Sequence, residues 1–170
     1  MSAAVGYNRR HENRHPSPLS QLSTLAIPPG CPPQPSPGLA RRSGQLAADD
    51  LRQPNGIIGT PDGKTLYVAD IKAGQTYAYD IAAAGTLKRK RLFCKQGSDG
   101  MTLDSAGNVY LTGKGATVFD RSGKKIEEAA VPEPWTVNVC FGGKDRKTLF
   151  ITASTGLYGL KMRVKGAGSQ

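Results

Sequence analysis

From Asp49 onward the chain is written in short runs of β-branched and aromatic residues, broken by glycine-bearing turns. The pattern predicts strands near "GIIGT", "TLYVADI", "TYAYDI", "KRKRLF", "MTLDS", "VYLT", "ATVFDR", "KIEEAAV", "VNVCFG", "TLFITAS" and "GLYGLKMR". Between them lie "PDGK", "KAGQ", "AAGT", "SAGN", "RSGKK" and "GGKDRK", whose Gly, Asn and Asp residues suit tight turns. No segment carries a helical period, so this part of the chain reads as all-β.

The pattern repeats. "NGIIGTPDGKTLYVAD" from Asn55, "DGMTLDSAGNVYLT" from Asp99 and "NVCFGGKDRKTLFITA" from Asn138 each open on a short amide or carboxylate residue. Each continues into an apolar strand, a turn, and a second strand around Tyr67, Tyr110 or Phe150. The starts are 44 and 39 residues apart. A four-stranded all-β unit recurring every ~40–50 residues is the signature of a β-propeller blade. In such a fold Asn55, Asp99 and Asn138 converge on one mouth of the central channel, where oxygen-bearing side chains suit a hard cation. Taken singly, Asn55-Gly56 and Asp99-Gly100 are also ordinary turn pairs.

Residues 1–48 have a different texture. They hold 8 of the 12 prolines, with 5 Lys/Arg and 1 acid, in phrases such as "AIPPGCPPQPSPGLARRSG". Such a stretch buries little apolar surface and reads as a disordered leader, with the β-domain expected over 49–170. His11 and His15 stand four apart, but Pro16 and the missing apolar period argue against a metal-binding helix there.

The net charge of +10 is spread along the chain, 18 Lys/Arg against 12 acids after residue 48. The one basic run, Lys88 to Arg91, lies on an expected strand and reads as a solvated sheet edge. A nucleic-acid partner is therefore not expected. Cys31, Cys94 and Cys140 have neither disulfide nor metal spacing, and Cys94 and Cys140 read as small core residues. No stretch is apolar and long enough to span a membrane, leaving a reduced cytoplasmic setting as the default expectation.

At these motifs the sequence resembles the gluconolactonase family of calcium-dependent lactonases, the SMP-30/gluconolactonase/luciferin-regenerating family. The phrases that carry the likeness are "PNGIIGTPDGKTLYVAD", "SDGMTLDSAGNVYLT", "GATVFDRSGKKI", "VPEPWTVNVCFGG" and "KTLFITASTGLYGL". The resemblance implies the six-bladed lactonase-type propeller, cut here to about three four-stranded blades. It implies hydrolysis of a sugar lactone to its aldonic acid, with one divalent cation, Ca²⁺ ahead of Zn²⁺ or Mn²⁺. It assigns Asn55 and Asp99 to the metal and makes Asp99 the general base. Asn138, on the next blade, is a weaker candidate for binding substrate.

Departures from the family pattern qualify those assignments. The first-blade Glu of the family, in an "EGP"-like context, has no counterpart here. Asn55 and Asp99 alone supply one negative charge, far from the ~6–8 oxygens calcium takes. Trp135 could stack on a sugar ring, although a lone Trp in a "PEPW" turn more often packs on a blade rim. Tyr67, Tyr77, Tyr79, Tyr110 and Tyr158 are read as blade-packing residues, and Asp62, Asp104 and Asp120 as turn residues. Open blade faces would favour self-association, and two copies could close a ring through a two-fold axis. The function expected is a lactone hydrolase. The competing expectation is a non-catalytic propeller fragment, an interaction module or an inactive remnant.

Overall fold

The computed structural model describes residues 44–168, which belong to a compact unit over Gly44–Gln170. The leader expected over 1–48, with His11, His15 and Cys31, falls almost wholly outside the described residues. All eleven expected strands are present, and no α-helix occurs among the described residues. The first sheet has β1 (Pro54–Gly59), β2 (Thr65–Asp70), β3 (Gln75–Ile81) and β4 (Leu87–Cys94), paired in that order. The second has β5 (Met101–Leu103), β6 (Val109–Gly113), β7 (Gly115–Phe119) and β8 (Lys125–Ala129), again in order. The third has β9 (Thr136–Gly142), β10 (Thr148–Ala153) and β11 (Leu157–Lys161). Every pairing is antiparallel, so each sheet is a meander.

The third sheet has three strands, so the eleven strands read from the sequence make two four-stranded blades and one of three. The residues after β11 pair elsewhere: Ser105 N–H donates to Lys165 O at 2.7 Å, and Ala167 N–H to Leu103 O at 2.8 Å. Met162 and Gly166 N–H bond Lys147 O and Arg146 O just before β10, so this segment bridges the third sheet to the end of β5 and does not extend the edge of β11.

Burial explains the sequence texture. Every residue of β6 and β7 is buried, because both faces of the second sheet are covered. On one face Leu103, Val109 and Leu111 pack with Tyr67, Ala69 and Ala78 of the first sheet. On the other, Tyr110, Ala116 and Val118 pack with Val139, Leu149 and Ile151 of the third. Edge-to-face aromatic pairs cross both seams, Phe93–Phe119 at 6.2 Å and Tyr110–Phe141 at 5.2 Å between centroids. Tyr67, Tyr79 and Tyr110 are buried as expected, while Tyr77 and Tyr158 are half-buried. Cys94 is buried, and burial raises its thiol pKa. Cys140 corrects the expectation of a core residue. It sits opposite Phe150 on the uncovered face of the third sheet and is exposed, because Val139 takes the inward position of the alternation.

The basic run behaves as a solvated edge. On β4, the outermost strand of its sheet, Arg89 and Arg91 pair with Asp80, and Lys90 pairs with Asp50 at 2.8 Å. Such exposed pairs contribute little to stability.

Each second strand ends in a side-chain oxygen that holds the chain entering or starting an inner strand. Asp70 at the end of β2 accepts the backbone N–H groups of Arg52 at 2.7 Å and Gln53 at 3.0 Å. Thr112 on β6 accepts Gly100 N–H at 2.9 Å, and Thr152 on β10 accepts Asn138 N–H at 3.0 Å. The inner strands then touch one another, β1 against β5 and β5 against β9. Gly56 and Gly100 permit that approach. A Cβ on Gly100 would lie 2.3 Å from Asn138 Oδ1, 2.7 Å from its Cα and 2.8 Å from Val137 O. A Cβ on Gly56 would meet Ser98 O at 3.0 Å.

Asp70 is almost fully buried, and burial favours its neutral form. The N–H donors of Arg52, Ala73 and Gln53 outweigh that and hold its pKa below the usual carboxylate value.

Two outcomes follow from this packing. Gly100→Ala forces backbone to move and is expected to lower the urea midpoint by the equivalent of about 1–3 kcal/mol, more than Gly56→Ala. The unfolded Asp70 titrates near pH ~3.9 and the folded one lower, so its stabilising share is full above about pH 5 and fades as pH falls through the folded value. Asp70→Asn should therefore flatten the acid limb of a stability profile followed by urea denaturation.

Candidate functional site

Two of the three starts identified in the sequence, Asn55 and Asp99, meet at one end of the inner strands, and Trp135 joins them there in place of Asn138. Asn55 enters on β1, Asp99 stands two residues before β5, and Trp135 immediately precedes β9. Asn55 Nδ2 donates to Asp99 Oδ1 at 2.9 Å. Trp135 Nε1–H donates to Asp99 Oδ2 at 3.0 Å. One half-buried carboxylate thus receives donors from the two neighbouring blades, across 44 and 36 residues of sequence.

Trp135 departs from the expected packing role. Its indole is 48% exposed, and its polar edge is turned to Asp99. A flat apolar ring beside an accessible carboxylate can cover one face of a bound sugar. Asn138 lies alongside but is not part of the trio. Its Oδ1 accepts Val139 N–H at 2.8 Å and rests over Gly100, so that oxygen is used by its own strand.

Below the carboxylate is a buried hydroxyl network that the sequence reading did not single out. Ser98 Oγ and Thr112 Oγ1 lie 3.0 Å apart, and Ser98 Oγ accepts Thr112 N–H at 2.8 Å. Thr136 Oγ1 accepts Gly113 N–H at 3.0 Å and donates to Gly115 O at 2.6 Å. These bonds fix the Ser98–Gly100 corner and the start of β9, and with them the direction of Asp99. The available signal was Ser and Thr at strand ends, where their hydroxyls compete for backbone groups.

The other acids are engaged elsewhere. Asp62 and Asp120 each accept N–H groups of their own turns. Asp104 accepts Ala106 and Asn108 N–H at 2.9 Å and Tyr110 Oη–H at 3.1 Å. Burial and the Asp104 carboxylate push the Tyr110 pKa far up, so the phenol stays protonated. The turn roles read from the sequence are those observed.

The donor set does not fit a divalent cation by itself. Both Asp99 oxygens already accept N–H donors, and Asn55 points its nitrogen at them. Among the described residues no group of three or more His, Cys, Asp or Glu could hold a metal. What the arrangement offers chemically is a half-buried carboxylate held by an amide and by the edge of an exposed indole.

Comparison with known proteins agrees with the fold. Residues 38–155 match the family described as SMP-30/Gluconolactonase/LRE-like region. The chain is 30% identical over 124 residues to a 6-deoxy-6-sulfogluconolactonase of Pseudomonas putida, covering 68% of this chain and 43% of that protein. A gluconolactonase structure from Xanthomonas campestris superposes with a TM-score of 0.62 at 31% identity, over 69% of this chain and 40% of the other. A regucalcin structure from Agrobacterium tumefaciens, described as a calcium-binding protein, gives 0.62 at 26% identity, over 71% and 49%. The chain thus spans two fifths to half the length of these relatives, and its three consecutive sheets are blades of the lactonase-type β-propeller. The chain belongs to the SMP-30/gluconolactonase family.

Proposed function

We propose that these blades carry the base-bearing half of a lactone-hydrolase site, with a sugar lactone as substrate. The observation that carries the reading is the Asp99 carboxylate held between Asn55 and Trp135 at one mouth of the blades. Relatives whose names describe lactonases support the substrate class.

In this reading Asp99 takes a proton from the attacking water as its oxygen bonds to the lactone carbonyl carbon. Collapse of the adduct breaks the ring C–O bond, and the proton passes to the departing ring oxygen. The product is an open hydroxy acid. Asn55 and Trp135 each donate to one oxygen of the carboxylate and so hold it from both sides. Trp135 also offers its exposed ring to the sugar. Ser98, Thr112 and Thr136 act through the backbone that carries Asp99, as positioning residues.

Hydrolysis of an aldonolactone by the full chain can be followed in a pH-stat. General-base removal costs ~10²–10⁴-fold, so Asp99→Ala should lose that much of kcat/KM. Trp135→Phe keeps the ring and removes one hydrogen bond to the carboxylate, which should lower kcat by roughly five- to tenfold with KM little changed. If Asp99→Ala hydrolyses as fast as the parent chain, the assignment fails and the blades serve as a binding module.

The incomplete donor set gives a further expectation. The thermal midpoint of the chain should be the same in Ca²⁺ and in chelator. A cation bound only by the folded chain at 100 times its Kd would add about 2.7 kcal/mol, and a rise of that order would show that other residues complete a metal site.

A further inference from the structure

A second concavity lies at the opposite end of the inner strands. Asp99 stands before β5 and Asp104 follows it, and five residues of extended chain span roughly 16 Å. There a cavity of about 670 Å³ opens between the β1–β2 turn, the β5–β6 turn and residues 165–168. That volume is in the ~300–1,000 Å³ range of small-molecule sites.

Three cations line it: Arg121, Arg146 and Lys165. Among the described residues none of them forms an ion pair. Arg121 Nε–H donates to Ala106 O at 2.7 Å, and Arg146 Nη2 donates to Gly166 O at 2.9 Å and Ala167 O at 2.5 Å. Backbone carbonyls orient a guanidinium without neutralising it, and each guanidinium has five N–H donors. The two carboxylates on the wall, Asp62 and Asp104, accept donors from their own turns. They keep their charge but pair with none of the three cations, so three positive groups against two negative ones leave the wall an excess of one positive charge.

The wall that bears Lys165 is fastened to the sheets. Ser105 N–H bonds Lys165 O at 2.7 Å, and Gly166 N–H bonds Arg146 O at 2.9 Å. Gly166 also pairs with Asp104 as an isolated bridge, and a Cβ on it would meet Phe141 Cβ at 2.2 Å. The tail crosses here with no room for a side chain at Gly166, which fixes Lys165 beside the arginines.

We propose that this cavity binds a small oxyanion, a phosphate or a carboxylate, through Arg121, Arg146 and Lys165, apart from the Asp99 site. Guanidinium forks match the paired oxygens of both groups, and the ammonium adds charge without geometric demand. The cavity is half-open, so the anion can belong to a larger hydroxylated molecule.

Calorimetric titration of the full chain with inorganic phosphate, and separately with gluconate, tests this against chloride at matched ionic strength. At least one of the two should give saturable heat. Phosphate alone assigns a phosphate site, and gluconate alone a carboxylate site of the aldonate class. Arg121→Ala with Lys165→Ala should weaken binding at least tenfold. The Lys165 side chain makes no hydrogen bond among the described residues, so Lys165→Ala alone should keep the parent melt and still weaken binding about threefold. Asp99→Ala should bind as the parent does. Fluorescence of Trp135, the one tryptophan in the chain and beside Asp99, should stay constant through the titration. No saturation with either anion, unchanged affinity in both variants, or loss of binding in Asp99→Ala would overturn the proposal.

Discussion

Gly100 rests directly against the backbone of Asn138, and Gly56 against that of Ser98. Removing two side chains lets three inner strands lie edge to edge at one end. This close approach does what no single sheet can do. It places an amide from one blade and an indole from another on the same carboxylate. If the strands were separated by the width of one methyl group, Asn55 and Trp135 would no longer both reach Asp99. The second-strand caps support the same contact from behind. Asp70, Thr112 and Thr152 each tie down the backbone of a neighbouring inner strand, so the starts cannot drift along their sheets.

The middle sheet transmits this order. It is covered on both faces, and the residues of β6 and β7 face two different cores in alternation. Leu111 packs toward the first sheet while Tyr110 packs toward the third. The position of β5, and hence of Asp99, is fixed by both contacts at once. The two ends of the inner strands also differ in charge. One mouth presents a carboxylate held by neutral donors, and the other presents three cations whose nearby acids are committed to turns. A fold of this kind can therefore offer two chemically opposite surfaces about one strand length apart.

The strands were legible because period-2 patterning and glycine turns are local. The buried run of β6 and the alternation of β10 can be read without knowing their neighbours. The recurrence of Asn55 and Asp99 before apolar strands was legible for the same reason. The course of the chain after β11 was not. Residues 165–167 pair with Leu103, Asp104 and Ser105 at the end of β5, and a pairing between distant segments leaves no local pattern. Cys140 reads as apolar in "VNVCFG", yet its side depends on the register with Phe150. Trp135 was visible as a residue near the mouth, but the partner of its N–H was not.

By itself the sequence determined the all-β class, the strand and turn positions, the repeat, and the two polar residues that open the first two units. Each follows from the steric preferences of neighbouring residues and from the alternation of a strand. Only the tertiary structure decided which of those polar residues meet. Asn55 and Trp135 converge on Asp99 because Gly56 and Gly100 bring separate sheets into contact, whereas Asn138, one blade on, turns its oxygen back to Val139. That choice rests on distances of a few tenths of an ångström between strands 40 residues apart in the chain, on the order of one blade repeat, which local sequence does not encode.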